Sequence, residues 1–162
     1  MSFSIRSGSI GDVTHCVDLW TRVIAARDGS DAAAEAARRA RVAFAEPTVR
    51  FAVVGSAPDG FALTLTRKTG VALLSRLCVD PSVGSRGLGA ALVADAADRA
   101  RDAGFQSIEL DVRETNVRAI ALYERAGFAA VSEPWEYDDG DRVVTWSLDL
   151  TIAKPSEWGR PT

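Results

Sequence analysis

Positions 3–6 (Phe3, Ser4, Ile5, Arg6) alternate apolar and polar, the two-residue period of a short strand. From Val13 the period lengthens. Val13, Val17, Trp20, Val23 and Ile24 recur at three- and four-residue spacing and predict a helix to about position 26. The preceding Ser9-Ile10-Gly11-Asp12 reads as a capping box with Asp in place of Glu or Gln. Asp28-Gly29-Ser30-Asp31 breaks the pattern, residues 32–45 form a second, Ala- and Arg-rich helix, and Pro47 closes it. Apolar runs at 49–54 and 61–67 are strands joined by the turn-rich Ser56-Ala57-Pro58-Asp59-Gly60. Lys68-Thr69-Gly70 turns the chain again into a long apolar strand over 71–79.

The second half has a different rhythm. A glycine-rich segment from Asp80 leads into a helix whose apolar face carries Leu88, Leu92, Val93, Ala96, Ala97 and Ala100, with Gly104 as its natural stop. A strand at 105–112, a short helix at 116–126 ended by Gly127, a strand at 128–131 and a last strand at 143–150 follow. About seven strands and four helices in this order predict an α/β fold with a mixed sheet and at least one parallel crossover. Residues 1–150 are expected to form one domain, and residues 151–162, with two prolines, a flexible tail.

Composition narrows the function. With 162 residues, 47% of them hydrophobic and 25% charged, the chain is globular in type, and its length suits one core without a metal or disulfide staple. A net charge of −3 speaks against general nucleic-acid binding, and no apolar run approaches the roughly 20 residues of a membrane span. The start lacks a signal-peptide core, so a cytoplasmic location is expected. Cys16 and Cys78 form no C-x-x-C pair and read as reduced, buried thiols, while His15 stands alone. No metal site is expected, and catalysis must draw on tyrosine, carboxylates, backbone groups or a cofactor.

The candidate chemistry lies in Val79-Asp80-Pro81-Ser82-Val83-Gly84-Ser85-Arg86-Gly87-Leu88-Gly89-Ala90. Glycines that open a helix leave backbone N–H groups at the positive end of the helix dipole, where phosphate oxygens bind, and Arg86 adds a fixed charge. An ordinary strand-to-helix turn explains the glycines alone equally well. A Walker loop lacks its Gly-Lys pair, and a dinucleotide fingerprint from Gly87 meets Leu92 where its third glycine belongs.

Residues 77–89 resemble the pyrophosphate loop of the GNAT superfamily of acyl-CoA-dependent N-acetyltransferases, with Gly84 at a position where that family usually carries Gln or Arg. Residues 110–128, Leu-Asp-Val-Arg-Glu-Thr-Asn-Val-Arg-Ala-Ile-Ala-Leu-Tyr-Glu-Arg-Ala-Gly-Phe, are similar to the family's later strand–helix–strand motif. They are particularly similar to the subgroup that acetylates the N-terminal alanine of a ribosomal protein. The resemblance covers about residues 71–131 and implies central strands splayed around the acyl-CoA arm. It implies acetyl-CoA as co-substrate, held by Leu77, Cys78 and Val79 on the strand and by Gly84, Ser85, Arg86, Gly87, Leu88, Gly89 and Ala90 in the loop and first helical turn. Asn116 and Tyr123 complete that set, and Tyr123 would protonate the departing sulfur.

Asn116 serves equally as an N-cap. Asp111, beside Glu109 and Arg113 on the polar face of its strand, matches a proposed base; it would act directly, through a water, or merely pair with an arginine. Cys78 as a covalent carrier is rejected for want of an activating histidine. The acceptor is expected to be a small cationic amine or a peptide N-terminus. The cationic expectation comes from Glu133, Glu136, Asp138, Asp139 and Asp141 around Trp135 and Tyr137, where a positive amine could stack. A homodimer is compatible with the sequence. A non-catalytic CoA-binding module and a dinucleotide-binding oxidoreductase remain the alternatives.

Overall fold

The structure is a computed structural model that describes residues 4–84, 87–137 and 140–152. Eight strands form one sheet: β1 (Ile5–Ser7), β2 (Thr48–Val54), β3 (Gly60–Lys68), β4 (Val71–Val79), β5 (Ser107–Arg113), β6 (Ala129–Ala130), β7 (Trp135–Glu136) and β8 (Arg142–Asp149). Their order is β1-β2-β3-β4-β5-β8-β6, with β7 also paired to β8, and every pairing is antiparallel except β4 with β5. The helices are α1 (Ile10–Asp28), α2 (Ser30–Ala45), α3 (Leu88–Asp102) and α4 (Val117–Arg125), and a 3-10 turn spans Pro81–Val83. No helix among the described residues is long and apolar enough to cross a membrane.

Each sheet face has its own helices. Ala52, Ala62, Ala72, Leu74, Ile108, Leu110 and Val112 pack under Leu88, Leu92, Val93, Ala96 and Ala100 of α3, with Tyr123 and Phe128 in the same cluster. On the opposite face Val53, Phe61 and Cys78 meet Cys16 and Leu19 of α1, and Leu63 and Leu65 meet Ala43 of α2. Small side chains at Ala37 and Ala40 let α2 lie close against Val17 of α1. Arg50 crosses the α3 face as a buried guanidinium, bidentate to Asp95 at 2.9 and 3.1 Å and bonded to Ser7 at 2.6 Å.

Local chemistry explains where elements begin and end. At the start of α1 the Asp12 carboxylate accepts from the Ser9 backbone N–H at 2.8 Å and receives both Arg6 nitrogens at 2.8 Å, the capping pattern expected with Asp in the acidic place. Two departures from the sequence reading matter. The strand expected from 105 starts at Ser107, because Phe105 N–H bonds Ala100 O and Gly104, at φ 89°, bonds Arg101 O. Those two bonds are a Schellman motif, so Phe105 finishes α3 rather than starting β5. The acidic connection over 132–142 contains an eighth strand, β7, whose two residues are too few to show a period. Phe3, Ser85, Arg86, Asp138, Asp139 and residues 153–162 of the expected tail lie outside the described residues.

Candidate active site

Among the described residues the one parallel pairing in the sheet, β4 with β5, is short for two strands of nine and seven residues. β4 pairs with β5 at Val71↔Ser107, Ala72↔Ile108 and Leu73↔Glu109, and no further. Beyond that point β4 stays on β3 to Gly60↔Val79, and β5 stays on β8 to Arg113↔Val143. The strands therefore part, and the edge of β4 from residue 74 to 79 faces the opening with its backbone groups free of a strand partner. A register shift between Leu63 and Thr64, opposite Arg76 and Leu74, leaves Ser75 as an extra residue in β4 and bends the strand where it separates. Leu77, Cys78 and Val79 lie in this open stretch.

Behind the opening stands the start of α3. Its N-cap is Gly87, in the left-handed region at φ 77°, ψ 14°, with no side chain to cap the helix. The first intrahelical bond is Ala91 N–H to Gly87 O at 3.0 Å, so the N–H groups of Leu88, Gly89 and Ala90 precede the ladder. A Cβ on Gly84 (φ 78°) or Gly87 (φ 77°) would meet nothing within 4 Å, so the positive φ rather than crowding is what calls for glycine at both. Gly89 has a different reason to be glycine: its Cβ would sit 3.3 Å from Leu122 Cδ2, so it sets the approach of α3 to α4. Asp80 shapes the loop by accepting from Ser82 N–H at 2.9 Å and Ser82 Oγ at 2.8 Å.

Tyr123 is placed by the end of its own helix. Gly127, at φ 99°, bonds Glu124 O, and Phe128 N–H bonds Tyr123 O at 3.0 Å, a second Schellman motif. The turn folds Phe128 back onto the Tyr123 ring, with centroids 5.9 Å apart. Tyr123 is buried, in the same apolar cluster as Leu77 and Val79, and burial pushes its phenol up to about 12. It therefore keeps its proton at neutral pH. Asn116 caps α4, its Oδ1 accepting from Ala119 N–H at 3.2 Å.

Asp111 lies on the other face of β5 from Tyr123, since Leu110 and Val112 belong to the Tyr123 cluster and Asp111 alternates with them. Its carboxylate is sealed, 1% exposed, and carries a full set of donors. Both Arg67 terminal nitrogens reach it, Thr145 Oγ1 donates at 2.8 Å and Tyr137 Oη at 2.9 Å. Arg67 also holds Glu109 at 2.9 Å, and Trp135 Nε1 donates to Thr145 Oγ1 at 3.1 Å. Of the alternatives raised by the sequence, pairing with an arginine is the one this geometry displays. Arg113 on the same face is tied to Asp28 at 3.2 Å and to Asp141 at 2.6 Å.

Both cysteines are free and buried, and burial pushes each thiol up to about 12. Both therefore stay protonated at neutral pH, and a protonated thiol is a poor nucleophile. His15 is exposed on α1 and lines a surface cavity with Asp18, Arg22 and Asp80. No group of three potential metal ligands lies together among the described residues. Arg67, Arg76 and Thr145 were not singled out by the sequence reading. Arg76 carried a signal, a charge inside the otherwise apolar strand Val71–Val79.

An open strand edge beside an uncapped helix N-terminus suits a ligand with a strand-like amide arm and a phosphate group. That combination defines an acyl-CoA-type site on an α/β sheet. The chain belongs to the Acetyltransferase (GNAT) family, whose model matches residues 26–128. It is 46% identical over 61 residues to mycothiol acetyltransferase of Beutenbergia cavernae, and 42% identical over 57 residues to the ribosomal protein bS18-alanine N-acetyltransferase of Escherichia coli K12. Those stretches cover 38% and 35% of this chain, but only 20% and 38% of the relatives' own lengths. The fold is similar over nearly the whole chain to two crystal structures. The Escherichia coli ribosomal-protein-S18-alanine N-acetyltransferase gives a TM-score of 0.72 at 22% identity, covering 95% of this chain and 97% of that one. The PaiA N-acetyltransferase of Thermoplasma acidophilum in complex with coenzyme A gives 0.68 at 20% identity, covering 90% and 98%.

Proposed function

We propose that the chain, as one domain over residues 1–150, transfers an acetyl group from acetyl-CoA to a primary amine by direct attack. The observation that carries this is the parting of β4 from β5 after Leu73, beside the uncapped start of α3. Family membership and the names of the relatives support it, and the residues present fit the co-substrate. The edge of β4 at Leu77, Cys78 and Val79 bonds the amide arm as an added strand would. The N–H groups of Leu88, Gly89 and Ala90, with Gly84 and Gly87 leaving room, hold the pyrophosphate. Asn116 fixes the start of α4 and so the height of Tyr123.

Acetyl-CoA supplies an activated thioester. The amine nitrogen forms the new N–C bond, the C–S bond breaks, and the proton lost by nitrogen balances the thiolate released. In this reading a β4 backbone N–H in the opening stabilises the oxygen that becomes negative. Tyr123 donates a hydrogen bond to the leaving sulfur. Its phenol, at about 12, lies above an ordinary thiol at about 8.5, so it stabilises the thiolate more readily than it surrenders its proton. Asp111, locked to Arg67, is read as a positioning residue that holds Tyr137 and the β7–β8 wall, rather than as the base. Two reduced, buried cysteines suit a cytoplasmic protein, which is the location we assign.

Thiol release from acetyl-CoA, measured against a panel of amines and peptide N-termini, tests the activity. Tyr123→Phe should lower kcat about 100-fold while leaving acetyl-CoA affinity close to wild type. An unchanged kcat, with chemistry limiting, removes Tyr123 from the reaction. Acetyl-CoA binding without turnover on any amine would favour the non-catalytic module instead.

A further inference from the structure

Arg76 stands apart from the arginines around it. On the sheet face covered by α1 and α2, Arg67 is paired with Asp111 and Glu109 and Arg113 with Asp28 and Asp141, while Arg39 of α2 pairs with Glu35 of the same helix. Arg76 has no carboxylate at ion-pair distance among the described residues. It sits opposite Leu63 at the β4 bulge, and its guanidinium carbon lies 5.5 Å from the Trp20 ring centroid. Nη1 bonds only to its neighbour, Ser75 O at 2.8 Å and Ser75 Oγ at 2.9 Å. Nε is buried with no partner, and so is Nε1 of Trp20. The charged and titratable groups that act on it are Tyr137 and Arg39, neither of them a carboxylate.

Two buried, unpartnered donors on residues joined by a cation–π contact, one of them on the cation, call for an acceptor with negative charge. A desolvated charge without a counter-charge is costly to keep; the Trp20 face and the Ser75 oxygens offset part of that cost, and no counter-anion among the described residues completes the compensation. Its place in the strand says what would. Arg76 precedes Cys78 by two residues, a rise of about 7 Å, and the acyl arm is assigned to the strand edge at Leu77–Val79. An anion held by Arg76 therefore lies a few bonds from an amine attacking the thioester.

We infer that Arg76, flanked by Trp20, is the anion subsite of the acceptor, so that the acetylated amine carries a carboxylate close to its nitrogen, as a free amino acid does. This rests on the acetyltransferase reading above. It differs from the sequence expectation of a small cationic amine or a peptide N-terminus in asking for a carboxylate near the nitrogen. Of the five acids in the 132–142 connection, Asp141 is committed to Arg113, Glu133 and Glu136 are exposed, and Asp138 and Asp139 lie outside the described residues.

The test uses matched acceptors: free amino acids, each beside its carboxamide, with aminomethylphosphonate and putrescine as further arms, in wild type, Arg76→Gln and Arg76→Lys. The wild type should prefer the acids about 10- to 100-fold in kcat/KM. Arg76→Gln should erase that preference through a raised acceptor KM, and Arg76→Lys should restore part of it. Preference for carboxamides or putrescine in the wild type, or an acid preference that survives Arg76→Gln, overturns the inference. If acetyl-CoA binds but no amine releases thiol, the transferase reading fails on its own. Calorimetric titration of the wild type with N-acetylglycine and its amide then decides the subsite. Binding of the acid alone supports it, and equal or absent binding of both overturns it. The same titration decides it if Arg76→Gln does not fold.

Discussion

The two sides of the opening are built from different materials. On the α3–α4 side the groups assigned to the co-substrate are, Tyr123 apart, backbone: the edge of β4, the first N–H groups of α3, and glycines whose positive φ values shape the loop. On the α1–α2 side they are side chains drawn from far along the chain. Arg67 meets Asp111 across 44 residues, Tyr137 meets Asp111 across 26, and Arg113 meets Asp28 across 85. A backbone site recognises what all acyl-CoA thioesters share. A side-chain site can change its chemistry one residue at a time, which suits the acceptor.

The sharpest way to break that contrast is Gly87→Val. Its Cβ meets no protein atom, so any effect on ligand comes from filling the space before the α3 donors and from forcing φ 77° on a β-branched residue. Acetyl-CoA affinity should fall about 100-fold or more in calorimetry, with a stability loss of about 1–2 kcal/mol in chemical denaturation. Normal binding by the folded variant would place the phosphates elsewhere. Gly89→Val is a poorer probe, because it also drives Leu122 away.

Asp111→Asn addresses the other side. It leaves Arg67 with Glu109 as its remaining carboxylate and should cost about 2 kcal/mol of stability, less than a fully buried pair because Arg67 is 25% exposed. If Asp111 positions the wall rather than taking a proton, the variant's kcat/KM–pH profile keeps the wild-type limbs, and the loss appears in acceptor KM. A vanished acidic limb would return Asp111 to the role of base.

These two substitutions also mark what the sequence could and could not tell. The glycine loop, the Asn116 cap and the Tyr123–Phe128 turn are each encoded within a dozen residues, so local pattern and family resemblance both reached them. The Arg67–Asp111–Tyr137 cluster depends on strand order and register, which no local spacing encodes. The polar face of β5 was visible as Glu109, Asp111 and Arg113, yet its partners were not. β7 was missed because two residues among acids carry neither period nor propensity. Phe105 was assigned to a strand because apolar character alone does not separate a strand's first residue from a helix's closing contact.

The smallest expected effect concerns how α1, which carries Trp20, is held. Arg6, then the Ser9 backbone N–H, keep the Asp12 carboxyl well below its ordinary 3.8. A depressed folded-state value means the stabilisation is complete above that ordinary value and fades as pH falls through the depressed one. Asp12→Asn should cost about 1 kcal/mol at neutral pH, and its difference from wild type should shrink steadily below about pH 4 in denaturant titrations. A difference that stayed constant with pH would assign the loss to packing.

The claim that the co-substrate is held by backbone is tested most directly by amide hydrogen exchange of the wild type with and without coenzyme A. The account expects new protection at Leu77–Val79 and Leu88–Ala90, with the β7–β8 side at Trp135–Tyr137 little changed. Protection confined to the β7–β8 side, or absent from both β4 and the first turn of α3 while coenzyme A is bound, would contradict it.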